Sequence, residues 1–292
     1  MSMKNARRYL TAFARVFVNL YYFGPWRQRL VRRAEVRGQG RPVPASSIRA
    51  ISGLDPSVHL QRLRSDGFSG PFRVDTALAD EIVANLAGDT RYIVPEPHMD
   101  HAAVRAIVFD PSLQQLLRHY FGTTPNLFST SIFITNPSGR AHNAERQACT
   151  KEFHYDVPDV KGLTLFVYLN DVDEFGGAHA VIPGTARRLT WHRLFTRFMS
   201  HRKAVETYGS DAIVTIIGTK GTAFLEDLVN WHRRNTGNST RYALAATFTL
   251  ARRPRLAWTS PTRLEPLTPV DTQESPAAIR PIPILDGKNT PV

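Results

Sequence analysis

The stretch Phe153–Arg187, FHYDVPDVKGLTLFVYLNDVDEFGGAHAVIPGTAR, decides how the rest of the chain reads. It opens on His154-x-Asp156 and runs through a β-rich segment from Leu163 to Leu169. An acidic turn, Asp171 to Glu174, follows, and then a Gly176-Gly177 turn and a short strand ending at Pro183-Gly184. Residues two apart on a strand point to the same face, roughly 6.6 Å apart along the chain. An imidazole and a carboxylate so placed suit one octahedral metal ion. A second histidine from elsewhere would complete a two-His, one-carboxylate facial triad, which leaves three coordination positions open.

The triplet alone is a weak signal, because a chain of 292 residues with ten histidines produces such matches by chance. His98-Met99-Asp100 is one of them. It follows two prolines and precedes a helix-like segment, with no strand behind it, so it reads as a loop or helix entry. The match at 154 stands out for the strands that follow it.

Outward from this stretch, the length allows one domain with a sizeable core. Cys149 is the sole cysteine. No intrachain disulfide is therefore possible, and a cytoplasmic, reducing location is expected. The net charge of +12 is uneven: residues 1–42 carry +9 and the other 250 only +3. The basicity belongs to an N-terminal arm, residues 1–45, and not to the body. Its apolar run, Tyr9 to Phe23, is too short and too charged to span a bilayer, and arginines follow it where a secretory signal would have small residues. A basic, aromatic helix can lie on an anionic membrane surface, here the inner membrane face, or pack on the body or on a second subunit. Its aromatics cluster with aliphatics instead of interleaving with the charges, which argues against nucleic acid. The oligomeric state stays open.

Residues 46–252 read as one catalytic-size domain with a helical lead-in, 46–125, and a β core, 126–252. HLQRLRSDGFSGPF reads as a helix stopped at Asp66-Gly67, ALADEIVANLAG as one ending at Gly88, and DPSLQQLLRHYFG as one capped by Asp110-Pro111 and ended by Gly122. From Asn126 the period shifts towards two. NLFSTSIFITN, LTLFVYLN, AHAVIP, DAIVTII, GTAFLE and RYALAATFTL are strand-like. A helical interruption is expected over Trp191 to Tyr208. Short strands without intervening helices predict a mainly β fold with flanking helices, a barrel or jelly roll. Residues 253–292 hold eight prolines and read as a tail along the surface.

The remaining donors come from the second half of the core. His232 follows a predicted strand and a turn, and Arg241 opens the next strand. A guanidinium offers a planar, permanent fork for a carboxylate. Arg241 shares its strand face with Ala243 and Ala245, small residues that leave room for a bound acid. Taken singly, His232 reads as a turn histidine and Arg241 as a surface charge; the joint pattern lends them weight.

With HYD at 154–156, LFVYLNDVDE at 165–174, GGAHAVIPGTAR at 176–187 and the Asp227–His232–Arg241 segment on the page, the chain resembles the phytanoyl-CoA dioxygenase family of Fe(II)- and 2-oxoglutarate-dependent oxygenases. LRSDGF at 63–68 and DPSLQQLLRHYFG at 110–122 extend the resemblance to about residues 57–252. It implies a double-stranded β-helix core, with His154, Asp156 and His232 as iron ligands and Arg241 as partner of the distal carboxylate of 2-oxoglutarate. Thr164 is a weaker candidate contact to that cosubstrate. Fe(II), 2-oxoglutarate and O2 would together hydroxylate a C–H bond of a small organic substrate such as a natural product, a lipid or a saccharide intermediate, with succinate and CO2 released. The sequence departs from the family pattern at Thr185-Ala186, which stand for Ser-His, and at Arg234, where a small hydroxyl residue is common. Two other classes compete: a non-catalytic jelly-roll binding protein and a cupin-type metal-dependent isomerase. The full set of three ligands plus Arg241 argues against both. His179 reads either as a pocket wall or as a packed strand residue, and the polar loop Pro137–Glu145, with His142, as a solvated loop or a lid.

Overall fold

Along β6 (Gly162–Tyr168) every residue but Phe166 is buried, and side chains alternate between two apolar environments. Leu163, Leu165 and Val167 join a large cluster built with helices, whereas Tyr168 and Phe166 join a separate cluster facing the other way. The same division runs through β10 (Thr222–Glu226) and β12 (Arg241–Thr249): Ala223, Leu225, Leu244, Ala246 and Phe248 meet the helices, and Phe224 and Ala243 face inward. A strand covered on both faces needs no polar side, which explains the near-continuous hydrophobic runs.

A computed structural model describes residues 27–38, 49–87, 93–135, 152–187, 193 and 196–250. The remaining strands are β1 (Ile51–Ser52), β2 (Phe68–Val74), β3 (Ile93–Pro95), β4 (Asn126–Thr135), β5 (Phe153–His154), β7 (His179–Ile182), β8 (Phe198–Met199), β9 (Val214–Ile216) and β11 (Trp231–Arg234). They form a seven-stranded sheet, β1-β2-β10-β6-β12-β4-β3, and a five-stranded sheet, β8-β5-β11-β7-β9. Their pairings are antiparallel. The architecture is the expected jelly roll with flanking helices.

The helices on the larger sheet start and stop where local chemistry dictates. Asp55 accepts a hydrogen bond from the Ser57 backbone N–H at the head of Pro56–Asp66, and Gly67, at φ 65°, ends it in the left-handed conformation. Asp110 caps Pro111–Phe121 through Ser112 and Leu113, and its other oxygen accepts from the Ala50 and Ile51 amides, tying β1 to that helix. Helices Thr76–Ala84 and Ala102–Val108 bury Ile82, Val104 and Ile107 against the same core. His98-Met99-Asp100 is a turn leading into the latter helix, as expected, and His98 Nδ1 lies 2.7 Å from Thr130 Oγ1.

Two expectations need amendment. The lead-in supplies three strands as well as helices: β2 pairs with β10 inside the larger sheet, because buried Phe72 and Val74 alternate with exposed neighbours in FSGPFRV. The helix expected over Trp191–Tyr208 is His201–Tyr208 alone among the described residues of its latter part, and β8 precedes it. Met199 packs into the small sheet's core, and Ser200 caps the helix by accepting from the Lys203 amide. Most of the basic arm, the loop with His142 and Cys149, and the proline-rich tail lie outside the described residues; of the arm, Arg27–Gly38 is a helix. Among the described residues no helix is long and apolar enough to cross a membrane.

Candidate metal centre

His154 and His232 face each other directly across the β5–β11 pairing. Their ring centroids lie 4.4 Å apart. Asp156 follows two residues on, at the point where β5 gives way to a turn. Its backbone N–H donates to Leu228 O at 2.8 Å, which draws it against the loop leading into β11. That loop is tightened by the Asp227 carboxylate, which accepts from the Val229 amide, and by the Asn230 amide, which donates to Asp227 O. The outcome is one cluster: ligand atoms of His154, Asp156 and His232 all lie within 4.8 Å of one another. Asp156 Oδ2 stands 3.9 Å from Nε2 of each histidine.

The far nitrogen of each ring is committed. His154 Nδ1 lies 3.0 Å from Glu152 O, and His232 Nδ1 lies 3.0 Å from Asn230 O. A carbonyl only accepts, so each Nδ1 carries the proton and each Nε2 presents a lone pair towards Asp156. Outer hydrogen bonds of this kind fix the ring and its tautomer for coordination. Burial lowers the His154 pKa to about 4, with the Arg197 charge helping and the Glu152 carbonyl opposing. Burial, and then His154 and His179, hold His232 well below the usual imidazole range. Both rings are therefore neutral at pH 7, the form that binds metal.

The triad opens into a cavity of about 260 Å³, whose walls include Thr164, Phe166, His179, Arg234, Arg241 and Ala245. Arg241 is buried and donates through Nη1 to Gly177 O at 2.7 Å. Of the small residues on its strand face, Ala245 lines the cavity, while Ala243 packs with Tyr168 and Phe224. Thr164 is also buried, its hydroxyl 3.0 Å from that of Thr247. All five residues singled out in the sequence therefore meet at one cavity.

Sequence reasoning passed over two contributors. Glu226 is fully buried, and its Oε2 lies 2.6 Å from His179 Nε2. Burial, then Asp227, pushes its pKa well up, while burial first and Arg241 second lower that of His179 to about 3. Both shifts run towards the uncharged forms, and the two groups share one buried hydrogen bond. The inward parity of an acid at the end of the hydrophobic run TAFLE was the available signal. Arg197 is the other: its Nε donates to Tyr155 O at 3.0 Å, and its Nη2 pairs with Asp156 Oδ1. No sequence pattern announces it, since the contact depends on β8 lying beside β5. His179 is a cavity wall and a packed strand residue at once, its ring stacked 5.6 Å from that of His232.

No family model matches the chain, and no curated protein matches it. Among solved structures it is similar to the non-haem α-ketoglutarate-dependent epimerase SnoN from nogalamycin biosynthesis, with 17% identity and a TM-score of 0.54 over 73% of this chain and 95% of SnoN. SnoN in complex with Fe3+, α-ketoglutarate and nogalamycin RO gives 18% identity and a TM-score of 0.50 over the same shares. AviO1 from Streptomyces viridochromogenes Tue57 is 16% identical, with a TM-score of 0.47 over 68% of this chain and 96% of that one. At such identities the SnoN likeness establishes the fold: this chain is a jelly roll of the kind found in SnoN.

Proposed function

We propose that this protein is a non-haem Fe(II)- and 2-oxoglutarate-dependent dioxygenase that hydroxylates a C–H bond of a small organic substrate. The observation that carries the reading is the convergence of two oriented Nε2 lone pairs and one carboxylate oxygen on the wall of a cavity that a buried arginine also lines. The finer placing, in the phytanoyl-CoA dioxygenase family, rests on the motifs at 154–156, 165–174 and 176–187. SnoN, of like fold, is α-ketoglutarate dependent and was found with Fe3+ bound, which supports the same cofactor pair here.

The residues fit that pair. Two imidazoles and one carboxylate with open positions are the donor set of non-haem Fe(II) oxygenases. His154, Asp156 and His232 would hold the iron. Arg241 would take the distal carboxylate of 2-oxoglutarate, with Ala245 leaving space beside it and the Thr164 hydroxyl as a further polar contact. When bound, iron and cosubstrate supply the activation of O2 that oxidises the substrate, with release of succinate and CO2. The chain's own part is placement. The carbonyls of Glu152 and Asn230 fix the two rings. Phe166 and Leu228 give the cavity apolar wall, which limits water beside the reacting groups.

Adding Fe(II) and 2-oxoglutarate under nitrogen should give a weak visible charge-transfer band; a flat spectrum would exclude this reading in favour of a non-catalytic jelly roll or an isomerase. Succinate release across a panel of candidate substrates then reports turnover, whatever the fate of the oxidised carbon. A peripheral role for the basic arm is a separate proposal. Full-length and arm-deleted protein should pellet differently with anionic liposomes, and equal pelleting rejects it.

A further inference from the structure

We propose that Arg197 is a positioning residue that holds Asp156 as a one-oxygen ligand at the metal centre; this rests on the metal reading above. Asp156 is the least enclosed of the triad, with 36% of its side chain exposed against 12% and 6% for His154 and His232. It also lies just past a strand of only two residues, so β-ladder pairing does not hold it. Its two oxygens have different neighbours. Oδ2 faces both Nε2 atoms at 3.9 Å, while Oδ1 is held by Arg197 Nη2. The same guanidinium donates through Nε to Tyr155 O at 3.0 Å, so its fork spans the residue before the ligand and the ligand itself.

β8 makes this possible. It pairs with β5 through Phe153↔Met199 and His154↔Phe198, and the next step of that register sets Arg197 beside Tyr155. A planar fork with donors in fixed directions can serve both acceptors at once and hold them in place; an ammonium group, a point charge with rotating donors, would not fix their directions. The arginine is half exposed, and an ion pair so solvated adds little to stability. Its effect is geometric. A carboxylate free to turn could offer both oxygens to the ion and occupy a position that cosubstrate or O2 needs. With Oδ1 held, only Oδ2 is offered.

Co(II) titration of the full-length protein, followed by visible absorption and by melting temperature, tests this. Arg197→Gln should change the position and intensity of the Co(II) visible bands, which follow the number and geometry of the ligands, with little change in melting. Thr196→Val serves as control: the Thr196 hydroxyl accepts from the Phe198 amide and donates to Phe198 O, so it pins the same strand without touching Asp156. It should bind Co(II) like the parent. Unchanged visible bands in Arg197→Gln overturn the proposal, and so does an equal change in Thr196→Val. Were the parent and Asp156→Ala to bind Co(II) alike, the metal reading itself would fall, a result distinct from either of these.

Discussion

The two faces of β6, β10 and β12 are one residue out of phase and serve different ends. On the helix side stand Leu163, Leu165, Val167, Ala223, Leu225, Leu244, Ala246 and Phe248, all buried and all apolar. On the inner side the same three strands carry Thr164, Phe166, Tyr168, Phe224, Glu226, Arg241, Ala245 and Thr247, a mixture that pairs polar groups and shapes a cavity. A slip of one residue in register would exchange the two sets. The helix face is selected for volume and burial, where one aliphatic does much the work of another. The inner face is selected for particular atoms. Stability and chemistry are thus separable by parity along a single strand, and substitutions can be chosen to break that separation.

The largest effect is expected across the cavity from that inner face, at the turn after β5. Asp156→Ala should abolish succinate release and weaken metal binding by more than about 100-fold. Its melting temperature without metal should stay close to the parent's, because about a third of the side chain is exposed (36%) and its ion pair with Arg197 is partly solvated. Residual turnover at the parent rate would remove Asp156 from the triad. The opposite pattern belongs to Leu165→Ala on the helix face. Loss of that fully buried side chain should cost about 2–5 kcal/mol in denaturant unfolding. Co(II) affinity of the folded protein should not change; a parallel loss would show that the two faces are coupled.

Acid stability tests the inner face next. The His154 imidazole takes a proton near pH 4 in the fold, against about 6.5 in an unfolded chain. As pH falls from 6.5 towards 4, the unfolded chain binds the additional proton and the metal-free fold loses stability; above 6.5 this contribution is fully present. It amounts to roughly 3 kcal/mol, and His232, lowered likewise, acts in the same direction. Melting curves of the metal-free parent should therefore drop across this window more than those of His154→Asn. Superimposable profiles would show that the ring is not desolvated. Arg241→Ala is expected to come lower, raising the 2-oxoglutarate needed for half-maximal succinate release about 10–100-fold, the worth of a charge-assisted bond to a carboxylate.

Legibility in the sequence follows the same division. The helices were readable because their ends are local: Asp55 and Gly67, Asp110 and Gly122 cap within a few residues of themselves. The long strands were readable because burial on both faces leaves unbroken runs such as LTLFVYL. Strands β2 and β8 were harder. The first contains Gly70 and Pro71 and sits among helices, and the second has two residues, so neither carries a period that can be counted. Within the site, His154, Asp156, His232, Arg241 and Thr164 were found by spacing and resemblance. Arg197 and Glu226 were not, because their roles arise only from neighbours 41 and 47 residues away, Asp156 and His179.

Thr164 offers the finest test of the parity argument, since it is both a β-former and a cavity wall. Its hydroxyl and that of Thr247 lie 3.0 Å apart, so Thr164→Val removes one buried hydrogen bond and leaves Thr247 short of a partner. That alone should cost about 1 kcal/mol of stability. If Thr164 also contacts the cosubstrate, the half-saturating 2-oxoglutarate concentration should rise about threefold, with turnover at saturation unchanged, as expected for loss of uniform binding. Thr247→Val separates the two contributions, because it breaks the same pair while leaving the Thr164 hydroxyl in the cavity. Equal cosubstrate dependence in both variants would confine Thr164 to the sheet. A rise in Thr164→Val alone would place its oxygen in contact with the keto acid.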